Sequence, residues 1–347
     1  MKKTFVFLFL FLVVLYGKQG YEFFTSNVVN ACLLSGNLSD IAEEVIAIPL
    51  QKSKEYNIRN AKHIRQEGDN LFLVCNETIY RFNRKGEFMN AITNPEEIKV
   101  GGYIIDKRKQ ELIAFGNDND IHYYTFSGEL VETKKLKNNL SGDRVYSMTM
   151  RGEQIWTAEE SVTYNSDTNQ IKMEVSAVKY DTSFTELERK RIVSADMGRE
   201  KSITTCQNAE LCINKDTGDI YLYNPPLSPE YLLSDTLYLR HHYALKNPDC
   251  ITMYPMRMGS RFWLAMTEHN PEPLQNYLFC YDTYTNKVWQ LTDGFDDNYY
   301  GTGTIKHLYA MDNYNQHYYY CKSGAEVSKS FPEEKDDLIV FIVKLKA

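Results

Sequence analysis

Three observations on this 347-residue sequence predict an all-β fold. Short apolar or alternating runs bounded by Asn, Asp and Gly recur along the chain, whereas long segments with helical periodicity are few. The 26 Tyr and 17 Phe residues suit pleated, half-buried sheet surfaces better than helices. A unit of two strands joined by a polar turn and followed by a tight turn recurs roughly every 40 to 60 residues.

The recurring unit has six copies. The two clearest copies align segment by segment, as Leu71–Cys75, Ile79–Phe82 and Gly86–Phe88 with Leu112–Phe115, Tyr123–Phe126 and Gly128–Leu130. The four weaker copies are Gln154–Thr157 with Ala177–Asp181, Leu211–Ile213 with Asp219–Tyr223, Phe262–Ala265 with Tyr277–Asp282, and Leu308–Met311 with His317–Tyr320.

This spacing fits one four-stranded antiparallel blade, so six units predict a six-bladed β-propeller. A ring of blades must close, and two strands remain for that purpose, Glu44–Ile48 and Leu338–Val343. We expect these N- and C-terminal strands to pair in the last blade. Two β-sandwich domains are the competing interpretation, but no linker rich in Pro, Gly or Ser divides the chain.

The N-terminus predicts export. Lys2 and Lys3 precede an apolar run over Phe5–Tyr16, which has the form of a secretory signal peptide and is too short to span a membrane. We therefore divide the chain into a signal peptide (1–20), a lead-in (21–37) and one propeller domain (38–347), expected to be a monomer in the periplasm or at the cell surface. Lipid anchoring at Cys32 is the alternative.

Charge argues against a nucleic-acid partner. Removing residues 1–20 takes away three lysines, so the formal charge moves from -7 to -10.

The seven cysteines show no Cys-x-x-Cys or zinc-ligand spacing. Cys75, Cys280 and Cys321 lie in strand-like runs, where a free cysteine behaves as a small buried hydrophobe. Cys206 and Cys212 can pair if the residues between them form a turn, and the sequence leaves this open.

Four segments resemble a six-bladed β-propeller family of secreted Bacteroidetes proteins: the polar lead-in and strand of Leu38–Leu50, the turns in Arg81–Phe88 and Tyr281–Lys287, and the C-terminal strand in Asp336–Lys346. The resemblance covers residues 38 to 346 and implies a propeller of NHL-type architecture. Ala91–Val100 departs from it, because relatives carry a glycine-rich segment there. The family implies no particular activity, and propellers of this type range from scaffolds to lyases and hydrolases.

The candidate ligand-face residues are few. His241 and His242, which follow the third candidate Arg240, can supply a base or a metal ligand, although neighbours on a regular strand point to opposite faces. Asp296 and Asp297 belong to an acidic cluster that can hold calcium or form a solvated turn. The remaining histidines, including His63 and His307, are scattered, but inner strands of a propeller converge on its axis and can bring distant residues together.

No nucleophile elbow, phosphate-binding glycine loop or His-Glu-x-x-His motif is present in the sequence. The predicted function is therefore a non-catalytic module that binds a protein or a glycan, and its tyrosines can stack on sugar rings. No cofactor is required, although calcium or zinc remains possible. The alternative is a metal-assisted lyase or hydrolase at the mouth of the central channel.

Overall fold

A computed structural model describes residues 36–52, 58, 60–93, 98–116, 120–135, 144–165, 167, 170–197, 210–213, 220–224, 228–233, 245–246, 251–269, 275–291, 294–311, 316–333 and 338–347. These residues form one helical turn and 26 strands. The helical turn is α1 (Leu38–Ile41).

In chain order the strands are β1 (Ala42–Leu50), β2 (Lys62–Glu67), β3 (Asn70–Cys75), β4 (Thr78–Asn83), β5 (Phe88–Ala91), β6 (Val100–Asp106), β7 (Glu111–Gly116), β8 (Asp120–Thr125), β9 (Leu130–Lys135), β10 (Arg144–Arg151), β11 (Gln154–Asn165), β12 (Gln170–Tyr180), β13 (Glu186–Met197), β14 (Glu210–Ile213), β15 (Ile220–Asn224), β16 (Ser228–Leu233), β17 (Leu245–Lys246), β18 (Ile251–Met258), β19 (Phe262–His269), β20 (Gln275–Asp282), β21 (Lys287–Leu291), β22 (Phe295–Asp297), β23 (Gly303–Ile305), β24 (Tyr309–Ala310), β25 (His317–Ser323) and β26 (Leu338–Leu345).

The sheets follow one another along the chain. The first three are four-stranded, with strand orders β2-β3-β4-β5, β6-β7-β8-β9 and β10-β11-β12-β13. The fourth is β14-β15-β16 and the fifth is β17-β18-β19-β20-β21, while β22 and β23 form a separate pair. The terminal sheet has the order β1-β26-β25-β24. The predicted all-β class and antiparallel blades are therefore confirmed.

The terminal sheet joins the two ends of the described chain. β1 pairs antiparallel with β26 from Ala42 opposite Leu345 to Leu50 opposite Leu338, as the sequence predicts. In β26 every side chain except that of Lys344 is buried.

The core lies between successive sheets. One hydrophobic cluster joins the terminal sheet to the fifth sheet, where Phe341 and Val343 meet Phe262. Another joins it to the first sheet, where Val340 meets Leu71. Further clusters fill the spaces between the first and second sheets and between the second and third. Cys75 and Cys280 are buried in these clusters, as predicted. Cys321 is partly buried, and burial raises its pKa to about 12.

Position within a sheet explains which strands the sequence reveals. The second and third strands of a blade are covered on both faces, so β3 is almost wholly buried and has an apolar sequence. The last strand is an exposed edge, as in β9, where five of six residues are exposed. The innermost strand β2 has one buried residue, Ile64, and a mixed sequence, whereas the innermost strand β6 is mostly buried.

A polar residue at the end of the third strand fixes the next turn. The Asn83 Oδ1 accepts the backbone N–H groups of Lys85 and Glu87 at 2.9 and 3.0 Å. The Asp181 Oδ1 accepts those of Ser183 and Thr185 at 2.8 and 2.9 Å. This local bonding is typical of Asx turns and explains why the tight turn recurs in the sequence.

The sheets have two distinct ends. The turn after the innermost strand lies at the first-turn end, where Arg108 donates to the Gly152 carbonyl at 3.1 Å and Lys107 pairs with Glu67. The turn between the second and third strands lies at the opposite, second-turn end. There Val100, the first residue of β6, donates to the carbonyl of Glu77 at 3.0 Å. Innermost strands therefore begin at the second-turn end.

Gly86→Ala tests the contact between the first and terminal sheets. Gly86 has φ +83, and an added Cβ would lie 1.9 Å from the Pro49 carbonyl oxygen of β1. Gly68 also has a positive φ, +57, but an added Cβ meets nothing within 4 Å. We expect Gly68→Ala to cost about 1–2 kcal/mol of unfolding free energy. Gly86→Ala should cost about 1–3 kcal/mol more, measured by urea denaturation. Equal losses would show that the contact with β1 is unimportant.

Candidate functional site

The structure separates the two predicted aspartates. Asp297 is 4 % exposed, whereas Asp296 is exposed. The Asp296 Oδ1 accepts a hydrogen bond from the Thr304 hydroxyl at 3.1 Å. The difference follows from their adjacent positions on β22, because neighbouring residues of a strand face opposite sides.

Asp297 organises a turn against the terminal sheet. Its Oδ1 accepts the backbone N–H groups of Tyr299 and Tyr300 at 3.0 and 3.1 Å. Its Oδ2 accepts the Thr302 backbone N–H, the Thr302 hydroxyl and the Tyr320 hydroxyl at 3.3, 2.5 and 3.1 Å. Burial, with the nearby Asp297, raises the pKa of Tyr320. These contacts occupy the carboxylate, and Asp296 alone of the two presents its carboxylate to solvent.

The other sequence candidates, Arg240, His241 and His242, lie outside the described residues, as does Cys206 of the possible Cys206–Cys212 bridge. Within the described ranges, no group of three His, Cys, Asp or Glu side chains has the arrangement of a metal site.

A different cluster surrounds a bulge in β2, the innermost strand of the first sheet. Lys62 lies opposite Val74 and Arg65 opposite Phe72, so two residues of β2, His63 and Ile64, face one residue of β3. His63 has φ +49, in the left-handed region, where residues other than Gly are uncommon and Asn, Asp and His are enriched among them. The extra residue therefore re-aims the side chains at the start of β2, at the second-turn end.

Tyr103 of the second sheet holds the bulge in place. Its hydroxyl donates to the His63 carbonyl at 2.8 Å and also hydrogen bonds to the Arg65 backbone N–H. The ring is 2 % exposed, and burial raises its pKa. A hydroxyl from the neighbouring sheet thus pairs backbone groups that the irregular ladder leaves available. We call Lys62, His63, Arg65 and Tyr103 the bulge site.

The bulge site presents cationic side chains. Lys62 is exposed and Arg65 is half-buried, with its guanidinium carbon 6.0 Å from the Tyr103 ring centroid. Neither forms an ion pair with a carboxylate in the described part of the chain. The Arg65 Nε is buried and has no acceptor there. The site therefore carries two cationic side chains without a carboxylate partner among the described residues, and one of them has a buried donor without an acceptor there.

Surrounding protein sets the charge state of His63. Desolvation is the largest cause lowering its pKa from 6.5 to about 4. The positive charges of Arg65 and Lys62 lower the pKa further. The imidazole is consequently neutral at pH 7 and can both donate and accept a hydrogen bond.

An aromatic stack borders the bulge site on the terminal sheet. His307, Tyr309 and Tyr319 form this ring stack, with centroids 6.0 Å apart for the first pair and 5.4 Å for the second. Tyr319 is 4 % exposed and belongs to the same hydrophobic cluster as Ile64, whereas Tyr309 is 53 % exposed. The stack therefore extends from the core beside β2 to the solvent.

His63 lies near the start of β2 and His307 shortly before β24, in two sheets that share a hydrophobic cluster. That inner strands gather scattered histidines stays a prediction. Sequence reasoning did not find Lys62, Arg65, Tyr103 or Tyr309. The only sequence signal for them is the mixed Lys62–Glu67 segment, which resembles an ordinary solvent-exposed loop.

Consecutive antiparallel sheets with paired terminal strands define the class of the protein as a β-propeller. The chain belongs to the DUF5128 family, a 6-bladed beta-propeller, which it matches over residues 27–253. The two-sandwich alternative is therefore wrong. No curated protein sequence matches the chain.

Solved structures agree on the fold. A presumed exported protein from Bacteroides fragilis NCTC 9343 is 14 % identical, with a TM-score of 0.59, over 91 % of this chain and 98 % of that one. A protein of unknown function from Bacteroides thetaiotaomicron VPI-5482 is 10 % identical, with a TM-score of 0.47, over 90 % of this chain and 75 % of that one. At these identities the first likeness shows the fold alone, and the second, with its TM-score below 0.5, carries no argument.

Asp297→Asn tests the structural role of Asp297. An amide nitrogen at the Oδ2 position cannot accept the donors of Thr302 and Tyr320, so we expect a loss of about 1–3 kcal/mol in unfolding free energy. Asp296→Asn is the matched control and should change stability by less than about 0.5 kcal/mol. A stable Asp297→Asn protein in urea denaturation would contradict this assignment.

His63→Asn tests whether the His63 imidazole is desolvated, through its effect on the pH dependence of stability. The folded-state pKa lies below the unfolded value, so the unfolded chain takes up a proton first and stability falls as pH drops from about 6.5 to about 4. Asn tolerates a positive φ but does not titrate in this range. Thermal unfolding should therefore show a smaller loss of stability over this interval in the variant. Identical pH profiles would mean that His63 is not desolvated.

Proposed function

We propose that this protein is an exported, non-catalytic binding module whose ligand site lies at the second-turn end, around the bulge site and the ring stack. The observation that carries the proposal is the coincidence of three features there. They are the exposed ring of Tyr309, the cationic side chains of Lys62 and Arg65, and the strained backbone at His63. Strained residues and bulges concentrate at functional sites, where they aim side chains.

The surroundings suit a ligand. Binding sites generally combine aromatic surface with a few polar groups that fix orientation, and the ring stack and the bulge site supply one of each. Both are built on strands held by core packing, since Tyr319 and Ile64 share one hydrophobic cluster. A site on rigid strands needs little reorganisation when a ligand binds.

The third sheet adds a projecting surface at the same end. Its β10 begins at Arg144, opposite Glu160, but β11 continues to Asn165, which pairs with Gln170 of β12. Strands β11 and β12 have 12 and 11 residues, whereas β3 and β4 have six each. Because the β11–β12 turn corresponds to the β3–β4 turn, this extension projects from the second-turn end. Tyr164, near its tip, is 61 % exposed and can contact a bound ligand.

Export rests on the N-terminal segment, which has the form of a signal peptide over residues 1–20. The similar structure from Bacteroides fragilis is that of a presumed exported protein. In the described part of the chain, no helix has the length and apolar character needed to cross a membrane. We place the mature protein in the periplasm or at the cell surface, where protein and glycan ligands are both present.

Tyr309→Ala tests the location of the site. The purified protein, residues 21–347, is screened against immobilised glycans and peptides, and the affinity of the strongest hit is then measured by calorimetry. We expect Tyr309→Ala to weaken binding by about tenfold or more, since exposed aromatic anchors often dominate an interface. Tyr284→Ala is the matched control, because Tyr284 is 66 % exposed but lies in the β20–β21 turn at the first-turn end.

The two variants separate the outcomes. A loss confined to Tyr309→Ala supports the proposed site. An equal affinity for wild type and Tyr309→Ala, or a loss only in Tyr284→Ala, would place the ligand elsewhere and refute it.

A further inference from the structure

One hydrogen-bond donor of the bulge site, the Arg65 Nε, is buried without an acceptor among the described residues. A buried donor without an acceptor costs about 1–3 kcal/mol, so such groups in folded proteins usually have a partner or a function. The Arg65 Nε is one of few such atoms in the described residues. Its position beside the strained residue His63 gives two independent irregularities at one place.

The described groups nearby do not supply the missing acceptor. The Tyr103 hydroxyl is already committed to the His63 carbonyl and the Arg65 backbone N–H. Elsewhere on the same strand Glu67 pairs with Lys107 of the second sheet. By contrast, Arg261 of the fifth sheet forms a two-point pair with Asp282 at 2.8 Å for each bond. Arg65 has no equivalent carboxylate among the described residues.

We propose that the bulge site binds an oxyanion carried by a saccharide, either the carboxylate of a uronic acid or a sulfate ester. The proposal rests on the binding function and the site proposed above. The planar guanidinium of Arg65 donates to the oxyanion, since arginine matches carboxylate and sulfate geometry. The Lys62 ammonium supplies further positive charge. The neutral imidazole of His63 hydrogen bonds to a sugar hydroxyl, and the ring stack packs against the sugar ring.

The ring stack favours a saccharide over a protein surface. The exposed Tyr309 ring stacks on Tyr319, which shares a hydrophobic cluster with Ile64 of β2. An aromatic ring beside cationic side chains suits a single sugar unit with one charged group. Protein partners generally bind over broad surfaces with a ring of contacts around a central anchor.

The test compares charged saccharides with an uncharged form of one of them. Oligogalacturonate supplies carboxylates, its fully methyl-esterified form keeps the same backbone without charge, and carrageenan oligosaccharides supply sulfate esters. Binding of each to residues 21–347 is measured by calorimetry at two salt concentrations. We expect the charged form to bind about tenfold or more tightly than its ester, with weaker binding at high salt.

Variants of the bulge site identify the residues. Arg65→Gln should reduce affinity for the charged saccharide by about tenfold or more, and Arg65→Lys by less, because it keeps the charge but not the planar fork. Lys62→Gln should reduce it severalfold. Lys287→Gln, on the outer strand β21, is the matched control and should bind like wild type. Thermal unfolding confirms that each variant is folded.

The outcomes identify the charged group of the ligand and separate the oxyanion inference from the proposed site. Preference for galacturonate or for carrageenan identifies carboxylate or sulfate as the ligand group. Equal binding of the charged and esterified forms, with a loss in Tyr309→Ala but none in Arg65→Gln, overturns the oxyanion inference and leaves the proposed site intact. Binding of an acidic peptide but of no charged saccharide at millimolar concentration also overturns it. Binding that neither Tyr309→Ala nor Arg65→Gln weakens overturns both proposals.

Discussion

The pairing of β1 with β26 is the constraint on which the rest of the architecture depends. It brings residues 42–50 into one sheet with residues 338–345, so the ends of the described chain stabilise each other. The resulting terminal sheet packs against the first sheet on one side and the fifth on the other. Without this pairing the first and fifth sheets would each expose an apolar face to water, at about 25 cal/mol for every square ångström. A ring of blades also leaves few unpaired strand edges, since its last sheet contains both chain ends.

The same arrangement places the candidate site. The candidate site lies at the start of the innermost strand β2, where Lys62 and His63 are exposed. In β2 the positions of His63 and Arg65 depend on a bulge, and the bulge depends on a hydroxyl from the neighbouring sheet. The site therefore exists only when adjacent sheets are packed, which couples the core to the ligand face. Asp297 shows the opposite case, since its carboxylate is used entirely to hold a turn against the terminal sheet.

Sequence reasoning found the middle strands of the sheets and missed most inner and outer ones. β3 and β7 have continuous apolar sequences because both of their faces are buried. β2 and β9 lack that signal, because β2 has a single buried residue and β9 has none. The extended strands of the third sheet were also missed, although Val162 and Tyr164 alternate with polar residues beyond Glu160 as a strand requires. The repeat length predicted that each blade has four strands, but it did not predict where the missing strands lie in the sequence.

The sequence by itself determined the all-β class, the order of the six units and the pairing of the terminal strands. These features depend on local hydrophobic patterns and on turn residues such as Asn83 and Asp282, whose side chains bond within their own turns. Only the tertiary structure decided which polar residues face a ligand. His63, Tyr103 and Tyr309 are far apart in the chain and belong to three sheets, so no local pattern relates them. Their proximity arises from packing between sheets, which a single sequence does not encode at any one position.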